Sequence, residues 1–367
     1  VDCRDGRHHW RAGAYRLAWA GTANVPPGGV MRDLVAVVLL VVLPAAALAH
    51  HSRAEYSTDI REIEGTLVGV LWRNPHPGFR IEVDDHGQTK TWDVEGWSSL
   101  YTFDRAGIGR DRFVAGEKLK VAGYASMQRP GRLLAAHILL PDGTEAILKR
   151  DAEPYWSTPE HLGGKANWEV ETRAAVVDAA KENRGIFRVW SYPAPAYQTK
   201  EHVPLTETAR KAHAAFDEVD NDIIRCEQKS MPGSMLTPNP YAFVDAGDTI
   251  TIRGYEGDVV RTIHMNGALD AAAQPRSKQG FSVGRWEDDK TLVIRTSRIE
   301  SPSLGFSGIA LSDAARVVER YRLSDDQTRL DYRITVTDPQ TFIEPATFEY
   351  YWLALGEHFG AYDCDVH

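Results

Sequence analysis

Between residues 241 and 355 one pattern recurs eight times: a short run rich in Val, Ile, Thr and Tyr, then a tight-turn signal. The runs are 241–244, 249–255, 259–265, 280–287, 291–299, 315–323, 329–337 and 347–355. The turns between them include Ala246-Gly247-Asp248, Glu256-Gly257-Asp258, Asn266-Gly267, Asp288-Asp289-Lys290 and Ser324-Asp325-Asp326. Regularly spaced strands with such turns restrict this half to an antiparallel β-barrel or β-sandwich. A lipocalin-like barrel of this size can enclose one small ligand, whereas a sandwich fills its own core.

The preceding regions have different patterns. Residues 64–72, 78–84, 90–95, 117–124 and 133–140 read as strands, with Phe79, Ile81 and Val83 on one face. A short helix fits 98–106, with Ser98 or Ser99 as N-cap and Gly107 as its stop. Three strands, a helix and two strands is the order of an OB-type barrel, so residues 50–149 are expected to form one. A further short strand is expected at 144–148. Residues 150–222 read as a connector with helices at 168–183 and 206–219, the second capped by Thr206. Residues 223–367 then form the second domain. The overall expectation is a mainly β protein of two domains.

The start of the chain carries an address. Met31-Arg32-Asp33 is followed by ten apolar residues, 34–43, then Pro44 and Ala47-Leu48-Ala49. Small residues at the first and third places of that triplet suit signal peptidase, and the apolar core is too short to span a bilayer. Residues 31–49 are therefore expected to be a signal peptide removed after Ala49, leaving a periplasmic or secreted protein that is not an integral membrane protein. Residues 1–30 precede this signal and read as an over-extended gene start. Residues 1–49 hold five basic and three acidic residues, so removing them takes the net charge from −9 to −11. An acidic chain with dispersed charge repels phosphate backbones, which excludes nucleic-acid binding as its expected role. Two cysteines remain, Cys226 and Cys364, and an oxidising compartment makes a disulfide between them the expectation.

Cleavage after Ala49 would leave His50-His51-Ser52 at a free amine. An amine and imidazole on one residue, with a second histidine, make a three-nitrogen set suited to copper. His51, His76 in Trp72-Arg73-Asn74-Pro75-His76-Pro77, and His137 are the candidate partners. In the second domain Arg261, His264, Arg285 and Trp286 are candidates to line a ligand pocket, while Glu319 and Arg320 are expected to form strand ion pairs. No nucleophile elbow, zinc-protease helix or phosphate loop is present. A binding or accessory protein is therefore expected, taking a metal or small ligand and assisting another envelope protein. An enzyme is the alternative, using a copper brace at His50 or a metal-free pocket in the second domain.

The pieces His50-His51-Ser52, Gly65-Thr66-Leu67-Val68 and Trp72-Arg73-Asn74-Pro75-His76, followed by Trp92, resemble an uncharacterised family of bacterial exported proteins of unknown function. The resemblance covers about residues 47–149. Gly185-Ile186-Phe187-Arg188-Val189-Trp190-Ser191, Met231-Pro232-Gly233, Gly284-Arg285-Trp286 and Val318-Glu319-Arg320-Tyr321 resemble the partner region of its longer members. It implies export and architecture and carries no activity. Pro77 departs from the pattern, where an aromatic or small residue is usual.

Overall fold

The computed structural model describes residues 55–192, 203–216, 225–267, 269–305, 308–354 and 359–364. The signal segment, His50 and His51 lie outside the described residues.

The N-terminal strands are β1 (Tyr56–Leu71), β2 (Gly78–Asp85), β3 (Gln88–Gly96), β4 (Lys118–Ser126) and β5 (Arg132–Leu139), with α1 (Leu100–Arg105) between β3 and β4. β1 pairs with both β2 and β4, β2 with β3, and β4 with β5, all antiparallel. A parallel pairing of β3 with β5 completes the ring β1-β2-β3-β5-β4, the strand order of an OB-type barrel. β1 can serve two neighbours because it is long and bends at close approaches of backbone. A Cβ on Gly65 would lie 2.3 Å from the Glu82 carbonyl oxygen. Gly123 permits the same closeness between β4 and β5. Leu67, Ile81, Val94, Phe103, Phe113 and Val121 fill this barrel. The sheet then runs on through β6 (Glu145–Ile147) and β7 (His161–Gly163).

α2 (Gly164–Ala179) begins four residues before the sequence places it. Gly163 and Gly164 adopt positive φ, so the chain turns directly from β7 into the helix. Trp168 is buried between the guanidinium groups of Arg105 and Arg150, at 4.2 and 4.6 Å. The helix ends at Ala179, four residues short of Asn183, whose side-chain oxygen accepts from Gln327. α3 (Glu207–Ala214) is capped as expected, with Thr206 Oγ1 accepting from the Ala209 N–H. Among the described residues no helix is long and apolar enough to cross a membrane.

The eight expected strands of the C-terminal half all form: β9 (Tyr241–Asp245), β10 (Thr249–Gly254), β11 (Val259–His264), β12 (Phe281–Asp288), β13 (Thr291–Ser297), β14 (Arg316–Leu323), β15 (Arg329–Thr337) and β16 (Ala346–Ala354). A ninth, β8 (Val189–Ser191), comes from the stretch read as connector. β8 pairs with β16 on one side and β9 on the other, closing a barrel rather than leaving two stacked sheets. Its Trp190 is fully buried and donates its indole N–H to the Ile186 carbonyl. The barrel has one parallel pair, β11 with β12, which a tight hairpin cannot join. A buried segment containing Met231, Met235 and Leu236 joins its core.

Candidate functional site

Period-two alternation sorts the large barrel's side chains into layers. Register carries one interior layer through Trp286, Leu292, Tyr321, Tyr332 and Tyr350. The next holds Gly284, Ile294, Glu319, Ile334 and Phe348, and the third Ser282, Thr296, Val317, Val336 and Ala346. Arg261 projects from β11 into the second and third layers. Its Nη1 and Nη2 donate to the two oxygens of Glu319 at 3.0 and 2.6 Å, and Nη2 also reaches Thr296 at 3.3 Å and Ser282 at 3.4 Å. Glu319 Oε1 accepts two further bonds, from Tyr321 at 2.7 Å and Tyr332 at 3.0 Å. Arg261 is 1% exposed and Glu319 0%. Burial works against the Arg261 charge, but the Glu319 carboxylate more than offsets it and holds the guanidinium above its usual range. Burial, and then the same carboxylate, raises both tyrosine hydroxyls well above the usual phenol range.

Rings stack beside this centre. Tyr321 lies on Tyr332 at 4.8 Å, Tyr332 on Trp352 at 4.8 Å, and Trp352 on Tyr241 at 5.0 Å. Two buried donors of the large barrel's interior, Arg261 Nε and Trp352 Nε1, have no hydrogen-bond partner in the protein. Buried N–H groups are rarely left so.

Of the four residues singled out for a pocket, Arg261 and Trp286 reach this interior. Trp286 sits at the rim, 40% exposed, its ring edge toward Phe187. His264 and Arg285 are one step out of phase and stand on the outer face. His264 stacks on Phe281 at 5.0 Å, and Arg285 pairs with Glu287. Glu287 also pairs with Arg320, so Arg320 does form a surface ion pair, whereas Glu319 turns inward to Arg261. Glu319, Tyr332 and Trp352 were missed as site residues. The signal for Glu319 was in its phase: it shares a face with Val317 and Tyr321, both buried.

The histidines behave differently. His137 Nδ1 lies 2.9 Å from Glu145 Oε1, and both side chains are buried. Glu145 also accepts the backbone N–H groups of Tyr155 and Trp156, whose rings face His137. Burial lowers the His137 pKa despite the neighbouring carboxylate. His76 is half-buried in the loop between β1 and β2. Among the described residues no three His, Cys, Asp or Glu side chains converge as a metal would need.

That loop also carries the joint between the barrels. Asn74 is buried; its Nδ2 donates to Tyr255 Oη at 2.9 Å and its Oδ1 accepts from the Leu100 N–H at 3.1 Å. Its own N–H donates to the Asp363 carbonyl. Tyr101 Oη meets Ser191 Oγ at 2.9 Å, and Tyr101, Tyr255 and Tyr362 form a small aromatic core there. Burial pushes the Tyr255 pKa up to about 12. Cys226 and Cys364 form a disulfide spanning 138 positions, which ties the tail beside Asn74.

Residues 37–133 match a family of unknown function, DUF6152. Among the described residues the DUF6152 match takes in β1 to β4, the start of β5 and the Asn74-Pro75-His76 loop, so the joint's central asparagine falls within it. No curated protein matches the chain.

Proposed function

We propose that this is an exported binding protein, periplasmic or secreted, whose large barrel holds a small ligand at the Arg261–Glu319 centre. One observation carries the reading: Arg261 Nε and Trp352 Nε1 are buried in a nine-stranded barrel without a protein partner. A barrel of that strand number is wide enough to enclose a small molecule, and an unmatched donor in such a place calls for an acceptor. The test is to purify the protein from an exporting host without denaturation and compare its native and denatured masses. A noncovalent companion, released on denaturation and identified by extraction, is expected. Identical masses, with no thermal stabilisation by any member of a small-molecule library, would sink the reading.

A second reading concerns copper at the mature N-terminus. Tyr56 Oη donates to Glu95 at 3.3 Å, Glu95 pairs in register with Gly78, and the Gly96 N–H donates to the Pro77 carbonyl. Closure of the small barrel thus returns the start of β1 to the end that carries the His76 loop. The five residue steps from His50 to Glu55 reach at most about 17 Å when extended, which favours His50 and His76 as partners in a nitrogen set. Secreted material beginning at His50 should bind one copper, lost in His50→Ala and in His76→Ala. A different first residue, or no copper in the unmodified protein, removes this reading.

A further inference from the structure

We propose that the Cys226–Cys364 disulfide is a redox latch on the joint between the two barrels, opened by a dithiol reductase; this does not depend on a ligand in the large barrel. The pair ties together two segments that close on one turn of the large barrel, residues 255–258. The first segment follows Cys226: Gln228 Nε2 donates to the carbonyls of Gly257 and Asp258 at 3.1 and 3.3 Å. The second is the tail, residues 359–364. Its Tyr362 N–H donates to Asp258 Oδ1 at 3.0 Å, and the Tyr362 and Phe359 rings meet Tyr255 edge-on at 5.3 and 5.8 Å. The tail also reaches the small barrel. The Asp363 carbonyl accepts the Asn74 N–H at 2.8 Å, and Asn74 forms a short parallel bridge with Cys364. The cross-link therefore sits one residue from a backbone hydrogen bond between the tail and the small barrel.

Two features suit the pair to reduction in the folded protein. Both cysteines are partly exposed, and Cys226 holds φ +54°, a left-handed conformation that residues other than glycine, asparagine and aspartate rarely adopt. Cutting the cross-link removes one of the ties that keep Cys226 there. Exposed or strained disulfides are the ones that dithiols reduce readily. The release is local. The large barrel closes through β8 and the small one through β3 and β5, none of which includes the tail. The side-chain bonds of Asn74 to Tyr255 and of Tyr101 to Ser191 also lie outside the tail. Reduction thus loosens the joint, and with it the loop that carries His76, without opening either barrel. The chemistry is thiol–disulfide exchange. A thiolate of the reductase attacks one sulfur of the pair, the S–S bond breaks, and the departing sulfur takes up a proton. The second thiol of the reductase then attacks the mixed disulfide and frees the other cysteine. Two electrons and two protons pass to the protein, and the dithiol leaves as a disulfide. That second thiol is held beside the bond it must resolve, so a dithiol completes the exchange faster than a monothiol does.

The test uses the intact oxidised protein, with reduced thioredoxin as the dithiol. Thioredoxin should reduce the pair at neutral pH without denaturant, read by mass as two alkylated thiols. Hydrogen exchange then compares the oxidised, reduced and reoxidised forms. The Asn74 and Tyr362 amides should exchange about tenfold or more faster in the reduced form, while those of β4 and β14 change less than about twofold. Reoxidation by oxidised glutathione should restore the first rates. The double variant Cys226→Ser, Cys364→Ser should behave as the reduced protein with or without thioredoxin. Should it fail to fold, the three states of the parent still decide. A pair that stays oxidised until the protein is denatured, or joint amides indifferent to its state, overturns the latch. Loss of protection throughout both barrels on reduction also overturns it, and makes the disulfide a staple of the whole fold.

Discussion

The small barrel closes five strands around Leu67, Ile81, Val94, Phe113 and Val121. The large barrel closes nine strands around an arginine, a glutamate and a column of rings. Barrel width grows with strand number. Five strands leave a narrow interior, and aliphatic and phenyl groups pack it. Nine strands make a wider interior, which Trp190, Trp352 and Tyr332 share with the buried Arg261–Glu319 pair. In the small barrel the buried His137–Glu145 hydrogen bond is clasped by the Tyr155-Trp156 segment. The difference separates an interior packed with apolar side chains from one built around an ion pair.

The contrast breaks first at Glu319. Glu319→Gln should leave Arg261 buried without its counter-charge and lower unfolding free energy by about 3–5 kcal/mol, measured in urea. Replacing Arg261 and Glu319 together by Met should cost less than the single change. A loss under about 1 kcal/mol for Glu319→Gln would mean that the ion pair does not organise the large barrel. Cys364→Ser should cost about 2–4 kcal/mol by releasing the tail, read the same way and compared with the parent under reduction. Asn74→Ala strands the Leu100 N–H and the Tyr255 hydroxyl and should cost about 1–3 kcal/mol. Limited proteolysis should then cut near the joint sooner than in the parent.

The smallest effect lies in the small barrel and depends on pH. His137 titrates below its ordinary value of 6.5 because burial disfavours the imidazolium. The unfolded chain therefore takes up the proton first. Stability from the neutral ring is complete above pH 6.5, falls as pH drops toward the lowered value, and levels off beneath it. Thermal melts across that window should show the loss, and His137→Gln should flatten it. An unaltered acid limb in the variant would assign the sensitivity to other groups.

Most of the strands were legible because their apolar residues alternate and their turns carry Gly, Asp and Asn. β8 was not, since three residues amid Pro193, Pro195 and a helix give no period to read; its membership is set by Trp190 filling the seam. Alternation also told which of Arg261 and His264 shared a face with Ile263, though not which face was inward. The Arg261–Glu319 pair joins strands 58 positions apart, and nothing local announces such a partner. Asn74 was read only as the frame for His76, because its partner Tyr255 is more distant still.

That distance has a kinetic meaning. The small barrel pairs strands that all lie between Tyr56 and Leu139, so its loops close over short stretches of chain. The joint must bring Asn74 to Tyr255 across 181 positions, and the seam must bring Ala354 back to Trp190. Loop closure over such spans is slow. Refolding followed by exchange of backbone amides should protect β1–β5 first and the seam and joint last, leaving an early species with one finished barrel and one open sheet.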